Sequence, residues 1–387
     1  MCFTYFASLQ ILKETEEHLL HATTERSLYR SVCRTSKDQV KQYFQTNGVF
    51  TPPSPNSNRP PCSADICVHY SFDMAQQVHY PANPLQPGPV YFLTPRKCGV
   101  FGIVAESIPR QTNYLIDEAM STGKGANTII SLLHHFFSVH GFGETTTHLH
   151  ADNCTGQNKN NFMLWYLMWR TLVGLHKSIT LSFLMVGHTK FAPDWCFGLF
   201  KQLFRRSKVD SIDDIASVVD QSADVNVSQL VGTQEGQVLV AAYQWASFFE
   251  PHFTKLVGIK KFQHFRFDSA SPGVVFVKEF SDSPEKSVKL LTDTTWLPSP
   301  SDLPAVIDRP GLSFERQQYL HDKIREFCAP EQQDRVCPLP VRPVVREREH
   351  NDGEDQDAAP SKRQRLCGNC RQPGHTRRTC PHDSDTD

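Results

Sequence analysis

The sequence predicts a mixed α/β protein, a five-stranded sheet covered by helices, with an appended α+β stretch and a small metal-nucleated module at the C-terminal end. Three observations predict it. Short β-branched and aromatic runs punctuated by Pro and Gly crowd residues 66–107, and helical apolar periodicity then alternates with strand-like runs up to residue 206. A Cys-Cys-His-Cys spacing lies near the end of the chain. Alternating strands and helices imply crossovers, so the later strands become parallel neighbours.

Residues 10–46 (QILKETEEHLLHATTERSLYRSVCRTSKDQVKQYFQ) place apolar residues at helical spacing among many charges and read as one or two amphipathic helices, making 1–50 an N-terminal helical region. TPPSPNSNRPPC cannot continue a helix and marks the boundary before a core at 63–206. CVHYSFDMA, PVYFLTPRK and VFGIVAES are expected as three strands of a meander. ANTIISLLHHFFSVHG reads as a helix ended by Gly141, THLHADN as the fourth strand, and NKNNFMLWYLMWRTLVG as a helix opened by polar residues and closed by Gly174. Its aromatic stripe, Phe162, Trp165, Tyr166 and Trp169, reads as helix core, and His134 and His135 as core or surface histidines. ITLSFLMVGHTK is the fifth strand, and Pro193 opens a helix, DWCFGLFKQLFRR, whose basic end suits the helix dipole. Residues 207–296 are expected as an appended subdomain with strands QVLVAAYQWASFF, FQHFRFD and GVVFVKEF. A Pro-rich, charged linker with one short helix (LSFERQQYLHDKIREF) fills 297–365, and the terminal module spans 366–381.

With a net charge of −1 over 387 residues, the overall balance does not point to nucleic acid; a basic surface has to come from uneven distribution. That unevenness sits at the C-terminal end. The start of the chain has no secretory pattern and no window approaches the roughly 18 apolar residues of a membrane span, so the expectation is an intracellular protein without a membrane partner. Most of the twelve cysteines are scattered singly through apolar segments, which fits reduced thiols. Cys62, Cys67 and His69 have the flavour of a metal site, yet their spacing is irregular and buried thiols explain it better.

Cys367, Cys370, His375 and Cys380 supply three thiolates and an imidazole, the ligand set of a closed tetrahedral zinc site with no open position for catalysis. Lys362, Arg363, Arg365, Arg371, Arg377 and Arg378 surround it, which suits phosphate contact and single-stranded RNA or DNA as the partner. The spacing resembles the CCHC zinc knuckle of retroviral nucleocapsids and many cellular RNA-binding proteins. Those knuckles carry an aromatic residue after the first cysteine where this chain has Gly368, so the contact is expected to be mostly electrostatic. The neighbouring SKRQR reads as a nuclear address or as part of the basic patch, with nuclear location favoured.

Asp73 falls late in the first strand and Asp152 late in the fourth, so parallel pairing would bring both carboxylates to one carboxyl edge of the sheet. Asp194, opening the helix after the fifth strand, returns to the same edge, with His188 as its rival. Three oxygen ligands there fit Mg²⁺ and phosphodiester chemistry. Each acid also has a local reading: a cap or local pair for Asp73, an Asx-turn for Asp152, a helix-dipole acid for Asp194. Gln157, Asn158, Lys159 and Asn160 read as contacts to a backbone phosphate through a helix N-terminus or as polar capping residues, with capping favoured. His148 and His150 alternate with Asp152, and H-x-H-x-D resembles the opening of a metallo-β-lactamase-type motif, making a di-zinc hydrolase a rival reading.

Residues 66–206 resemble the RNase H-like, integrase/DDE transposase fold, with Asp73, Asp152 and Asp194 at its acidic triad. YSFDMAQ, HADNCTGQNKNN, GHTKFAPDWCFGLFK, ERSLYRSVC and GLSFERQQYL are similar to a transposon-associated eukaryotic family. The resemblance implies a nucleic-acid-binding protein derived from a transposable element, acting on phosphodiesters with Mg²⁺, or else a domesticated scaffold that only binds.

Overall fold

The computed structural model describes residues 2–47, 59–85, 88–188 and 190–342, with side chains from residue 10. The proline-rich boundary at 48–58, the linker from 343 and the whole CCHC run with its basic neighbours lie outside them. The charged, apolar-periodic N-terminus forms one helix, α1 (Cys2–Thr46). Strand β1 (Ala64–Tyr80) alternates strictly at first, sending Val68, Tyr70 and Phe72 to one face and His69, Ser71 and Asp73 to the other. It pairs antiparallel with β2 (Arg96–Ala105), which turns back into β3 (Arg110–Asp117).

After α2 (Ala126–Val139), β4 (Glu144–Ala151) lies parallel to β1 with His69 opposite His148 and Ser71 opposite His150. Next come α3 (Asn161–Leu172), capped by Asn160, and β5 (Ser178–Phe183), parallel to β4. α4 (Ala192–Phe204) follows, then α5 (Ile212–Ser222), β6 (Asn226–Leu230) and α6 (Trp245–Phe249). The hairpin β7 (His264–Asp268), β8 (Val274–Lys278) and β9 (Lys286–Lys289) completes a nine-stranded sheet of order β6-β3-β2-β1-β4-β5-β7-β8-β9. Four of the strands expected in the core are found, as β1, β2, β4 and β5, side by side in the middle of this larger sheet. Residues 207–296 do not form an appended unit: they add β6 to one edge and β7–β9 to the other.

Three strand assignments change. PVYFLTPRK splits into a 3-10 turn (Gly88–Phe92) and the first residues of β2, because two prolines withhold donors and Tyr91 and Phe92 face solvent. RQTNYLID, whose polar residues hide it from periodicity, is β3; Gln111 and Asn113 are fully buried there, their amides bonded to each other at 2.6 Å. QVLVAAYQWASFF is loop plus α6, since Trp245 and Phe249 drop into the core formed with α2 and α3.

That core holds Trp165, Tyr166 and Trp169, as the aromatic stripe predicts, while His135 bonds Tyr114 at 2.9 Å and His134 bonds Tyr166 at 3.4 Å. A second cluster joins α4 and α5 to Val100 and Leu115. It also takes in α7 (Phe314–Tyr319) through Tyr319, the following Leu320 and Ile324, and α8 (Gln333–Val336), so the expected linker is packed on the body as far as Arg342. No helix among the described residues is long and apolar enough to cross a membrane.

Gly102, opposite Asp73, lets α4 approach the sheet. A Cβ there would stand 2.7 Å from the Phe197 ring and 2.8 Å from the buried Gln111 amide. Gly102→Ala is expected to destabilise the protein by about 1–3 kcal/mol, read as a lower urea midpoint with unchanged slope.

Candidate metal and phosphodiester site

The parallel register that puts Ser71 beside His150 and Phe72 beside Ala151 delivers Asp73 and Asp152 side by side at the next rung, the carboxyl edge of β1 and β4. Asp194 reaches them from the third position of α4, whose start follows the β5 loop. The carboxyl of Asp73 is pushed up to about 7, first by burial, then by the charge of Asp152, with Asp194 adding to it and the Met74 N–H and Lys201 opposing. Both acids are thus near enough to Asp73 to disfavour its charged form.

Each acid keeps a local bond as well. Asp73 Oδ1 accepts the Met74 N–H at 2.7 Å, Asp152 Oδ1 accepts Cys154 N at 3.2 Å and Asn158 Nδ2 at 2.6 Å, and Asp194 Oδ2 accepts Phe191 N at 3.0 Å. The local readings of these acids are therefore realised. His188 instead puts its ring 5.3 Å from that of His18 on α1.

The polar run after β4 is more than a cap. Asn160 caps α3 by accepting Met163 N at 3.0 Å, but Lys159 is 3% exposed, its Nζ donating to Asn153 at 2.9 Å and Gln263 at 3.0 Å, and burial lowers it to about 8. A buried lysine without a carboxylate partner among the described residues stands beside the acids' own loop. Beyond Lys201, a groove of about 670 Å³ passes Arg205, His79 and the exposed ring of Tyr91.

Beneath α1 the same sheet face carries a buried polar layer. His148 and His150 stack with centroids 4.8 Å apart, as their alternation predicts. Their nitrogens point elsewhere than to Asp152: His150 Nδ1 meets His69 Nε2 at 2.8 Å and His148 Nε2 meets Ser182 at 2.8 Å. Burial lowers His148 to about 3 and holds His69 and His150 well below the usual imidazole range. Further along, Ser182 bonds His264, which pairs with Glu25 of α1 at 2.8 Å.

Among the described residues, one group of metal-ligating side chains closes to within 4.8 Å: Cys33 of α1, His69 of β1 and Glu106 just past β2. It is capable of coordinating a metal ion. Neither Asp73, Asp152 and Asp194 nor the H-x-H-x-D set draws in that tightly. Of this cluster the sequence flagged only His69, in the company of Cys62 and Cys67. Cys62 and Cys67 are half-buried, and the Cys67 thiol is pushed up to about 11, by burial and by Glu144. The one signal for the true partners was ERSLYRSVC, which contains Glu25, Tyr29 and Cys33.

In comparison with known proteins, residues 94–283 are similar to the family described as "Domain of unknown function (DUF7869)". That stretch includes Glu106, Asp152, Lys159 and Asp194 and leaves out Asp73, α1 and the CCHC run. No curated protein and no solved structure matches the chain.

Proposed function

We propose that this chain is a transposon-derived, RNase H-like protein that binds single-stranded nucleic acid and acts on its phosphodiester backbone at the Asp73, Asp152, Asp194 edge. The observation that carries the reading is the parallel register of β1 and β4, which brings Asp73 and Asp152 to one carboxyl edge beside the start of the helix that holds Asp194; the raised carboxyl of Asp73 agrees with it. The order of three antiparallel strands followed by two parallel to the first, with an acid on β1, one after β4 and one opening α4, agrees with the resemblance drawn from the sequence.

The donor set fits a hard divalent cation: all three donors are carboxylates, and their crowding is relieved by positive charge. Asp73, Asp152 and Asp194 would hold Mg²⁺, which would supply Lewis-acid stabilisation of charge developing on a phosphodiester. The groove with Lys201, Arg205 and Tyr91 offers cations and a stacking surface for a single strand. The test is a nuclease and strand-transfer assay with Mg²⁺ or Mn²⁺ on the intact chain and on Asp152→Asn. Equal turnover by both removes the catalytic claim.

A second reading, an inactive scaffold that only binds, is favoured by one observation: the three acids do not close to the distance reached by Cys33, His69 and Glu106. Two-metal sites, with ions about 3.5–4 Å apart, span more than one ion's shell, so the catalytic reading keeps precedence.

Zinc in the CCHC run, with its six flanking cations, supplies the tether that concentrates a strand near the core, and SKRQR suits a nuclear address. Cys370→Ser is expected to weaken binding of a fluorescent single-stranded oligonucleotide by at least about tenfold. Because up to six phosphates are neutralised at about 0.7 counterions each, log affinity of the parent chain should fall against log salt with a slope approaching −4. A flat salt dependence would remove the tether from the account.

A further inference from the structure

We propose that Cys33, His69 and Glu106 hold a zinc ion that fastens the N-terminal helix to the sheet. The three donors come from three separate elements, and only the fold brings them together. α1 crosses β1 below the point where pairing with β2 begins at Tyr70 and Ala105. There Ser36 Oγ donates to Cys67 O at 3.1 Å and accepts His69 N at 2.8 Å, fixing the helix against the open strand edge. Cys33, one turn earlier, then meets His69 Nδ1 at 3.2 Å, and Glu106, whose N–H is bonded to His69 O at 3.0 Å, closes the group.

Two of the donors are held by a partner of their own, as ligands in built metal sites are. The second nitrogen of His69 is taken by His150 at 2.8 Å, which fixes how the ring presents Nδ1. Glu106 Oε1 accepts the hydroxyls of Tyr29 and Ser71, each at 2.5 Å. A thiolate and an imidazole disfavour Mg²⁺ and Ca²⁺ and select zinc among abundant divalent ions. Tetrahedral zinc places sulfur, nitrogen and oxygen ligands roughly 3.3–3.6 Å apart, from bonds of about 2.0–2.3 Å, so donors within 4.8 Å need only a small inward adjustment. One thiolate and one carboxylate also neutralise the ion, so no net charge is buried.

Three protein donors leave a fourth position on a tetrahedral zinc for water, and with His69 and Ser71 fully buried beneath α1 the site suits a clamp better than a substrate site. Its reach extends to the acidic edge: the Tyr29 hydroxyl that touches Glu106 also accepts Ala192 N at 3.4 Å, at the start of the helix that carries Asp194. A plain hydrogen-bonded cluster without an ion would account for the same contacts, and the experiment separates the two.

The full chain carrying Cys367→Ser, Cys370→Ser and Cys380→Ser, with every thiolate of the CCHC run removed, is dialysed against zinc and against cobalt. The clamp predicts about one tightly held ion per chain, a cobalt spectrum with a thiolate charge-transfer band, and protection of α1 from protease by zinc that is lost in chelator. Adding Cys33→Ser should remove the ion and the band, and Glu106→Gln should weaken zinc binding by at least about tenfold. Should Cys33→Ser fail to fold, the band in the triple-serine chain still reads a thiolate outside the CCHC run, and Cys33→Asp, which keeps an anionic donor, should hold zinc without the band. Absence of uptake by the triple-serine chain, a cobalt spectrum of that chain without the band, or uptake indifferent to Cys33→Ser overturns the clamp and leaves the acidic site and the knuckle untouched.

Discussion

Replacing Asp117 by Ala should destabilise the protein by about 3–5 kcal/mol, the largest loss expected of a single substitution away from the acidic edge. Asp117 is 1% exposed and meets Arg96, 4% exposed, through two parallel bonds, Nε to Oδ2 at 2.8 Å and Nη2 to Oδ1 at 2.5 Å. It also accepts the Tyr80 hydroxyl and Ala119 N. Arg96 in turn donates to Val336 O at 2.9 Å, tying α8 to the first residue of β2. The alanine variant leaves a guanidinium buried without its counter-charge. That stranded charge, more than the lost attraction, sets the size of the effect. Arg96→Met together with Asp117→Leu should recover much of it, because replacing both partners removes the stranded charge. Urea titrations of the two single variants and the pair measure this; a loss under about 1 kcal/mol for Asp117→Ala would mean that water reaches the pair.

The parts of the fold and site legible in the sequence were those written in short-range periodicity. VHYSFD and HLHAD each alternate, so the last acid of each could be placed on a strand end, and crossover helices between them made parallel pairing follow. Asp194 was legible because Pro193 and the apolar spacing beyond it mark a helix start. What escaped was whatever depends on partners distant in sequence. β3 looks polar because Gln111 and Asn113 satisfy each other and Asn226, a residue on a strand over a hundred positions away. QVLVAAYQW looks like a strand because Trp245 and its neighbours are apolar, but they serve a core that α2 and α3 had already opened. Prolines after Trp296 suggested a linker, yet Leu320, Ile324 and Val336 are buried. The Cys33, His69, Glu106 cluster belongs to the same class: no local pattern says that a helix at residue 33 will lie across a strand at residue 69.

Asp152→Asn is expected to lower Mg²⁺-dependent cleavage by at least about 100-fold while making the metal-free protein more stable at pH 7.5. The second half follows from the charge on Asp73. Its carboxyl titrates at about 7 in the fold against an ordinary 3.8, so between those values the folded chain holds a proton that the unfolded chain has released. The unfolded state binds fewer protons there, and stability therefore falls as pH rises from about 4 to about 7, by at most roughly 4 kcal/mol. Burial, the first cause of the shift, survives in the variant. The Asp152 contribution disappears, and the amide that replaces its carboxylate can still offer an oxygen to Cys154 N and Asn158, so the local turn is kept. The melting temperature of the variant should then decline less steeply over that window. Divalent cation acts on the parent in the same direction: Mg²⁺ should raise its melting temperature more at pH 8, above the value of about 7 at which Asp73 loses its proton, than at pH 5, and should do so weakly in Asp152→Asn. Activity and stability are thus expected to move in opposite senses at one residue, as they do when like charges are held together for a cation. A variant that is less stable than the parent at pH 7.5 and equally responsive to Mg²⁺ would show that Asp152 is only the Asx-turn its hydrogen bonds describe.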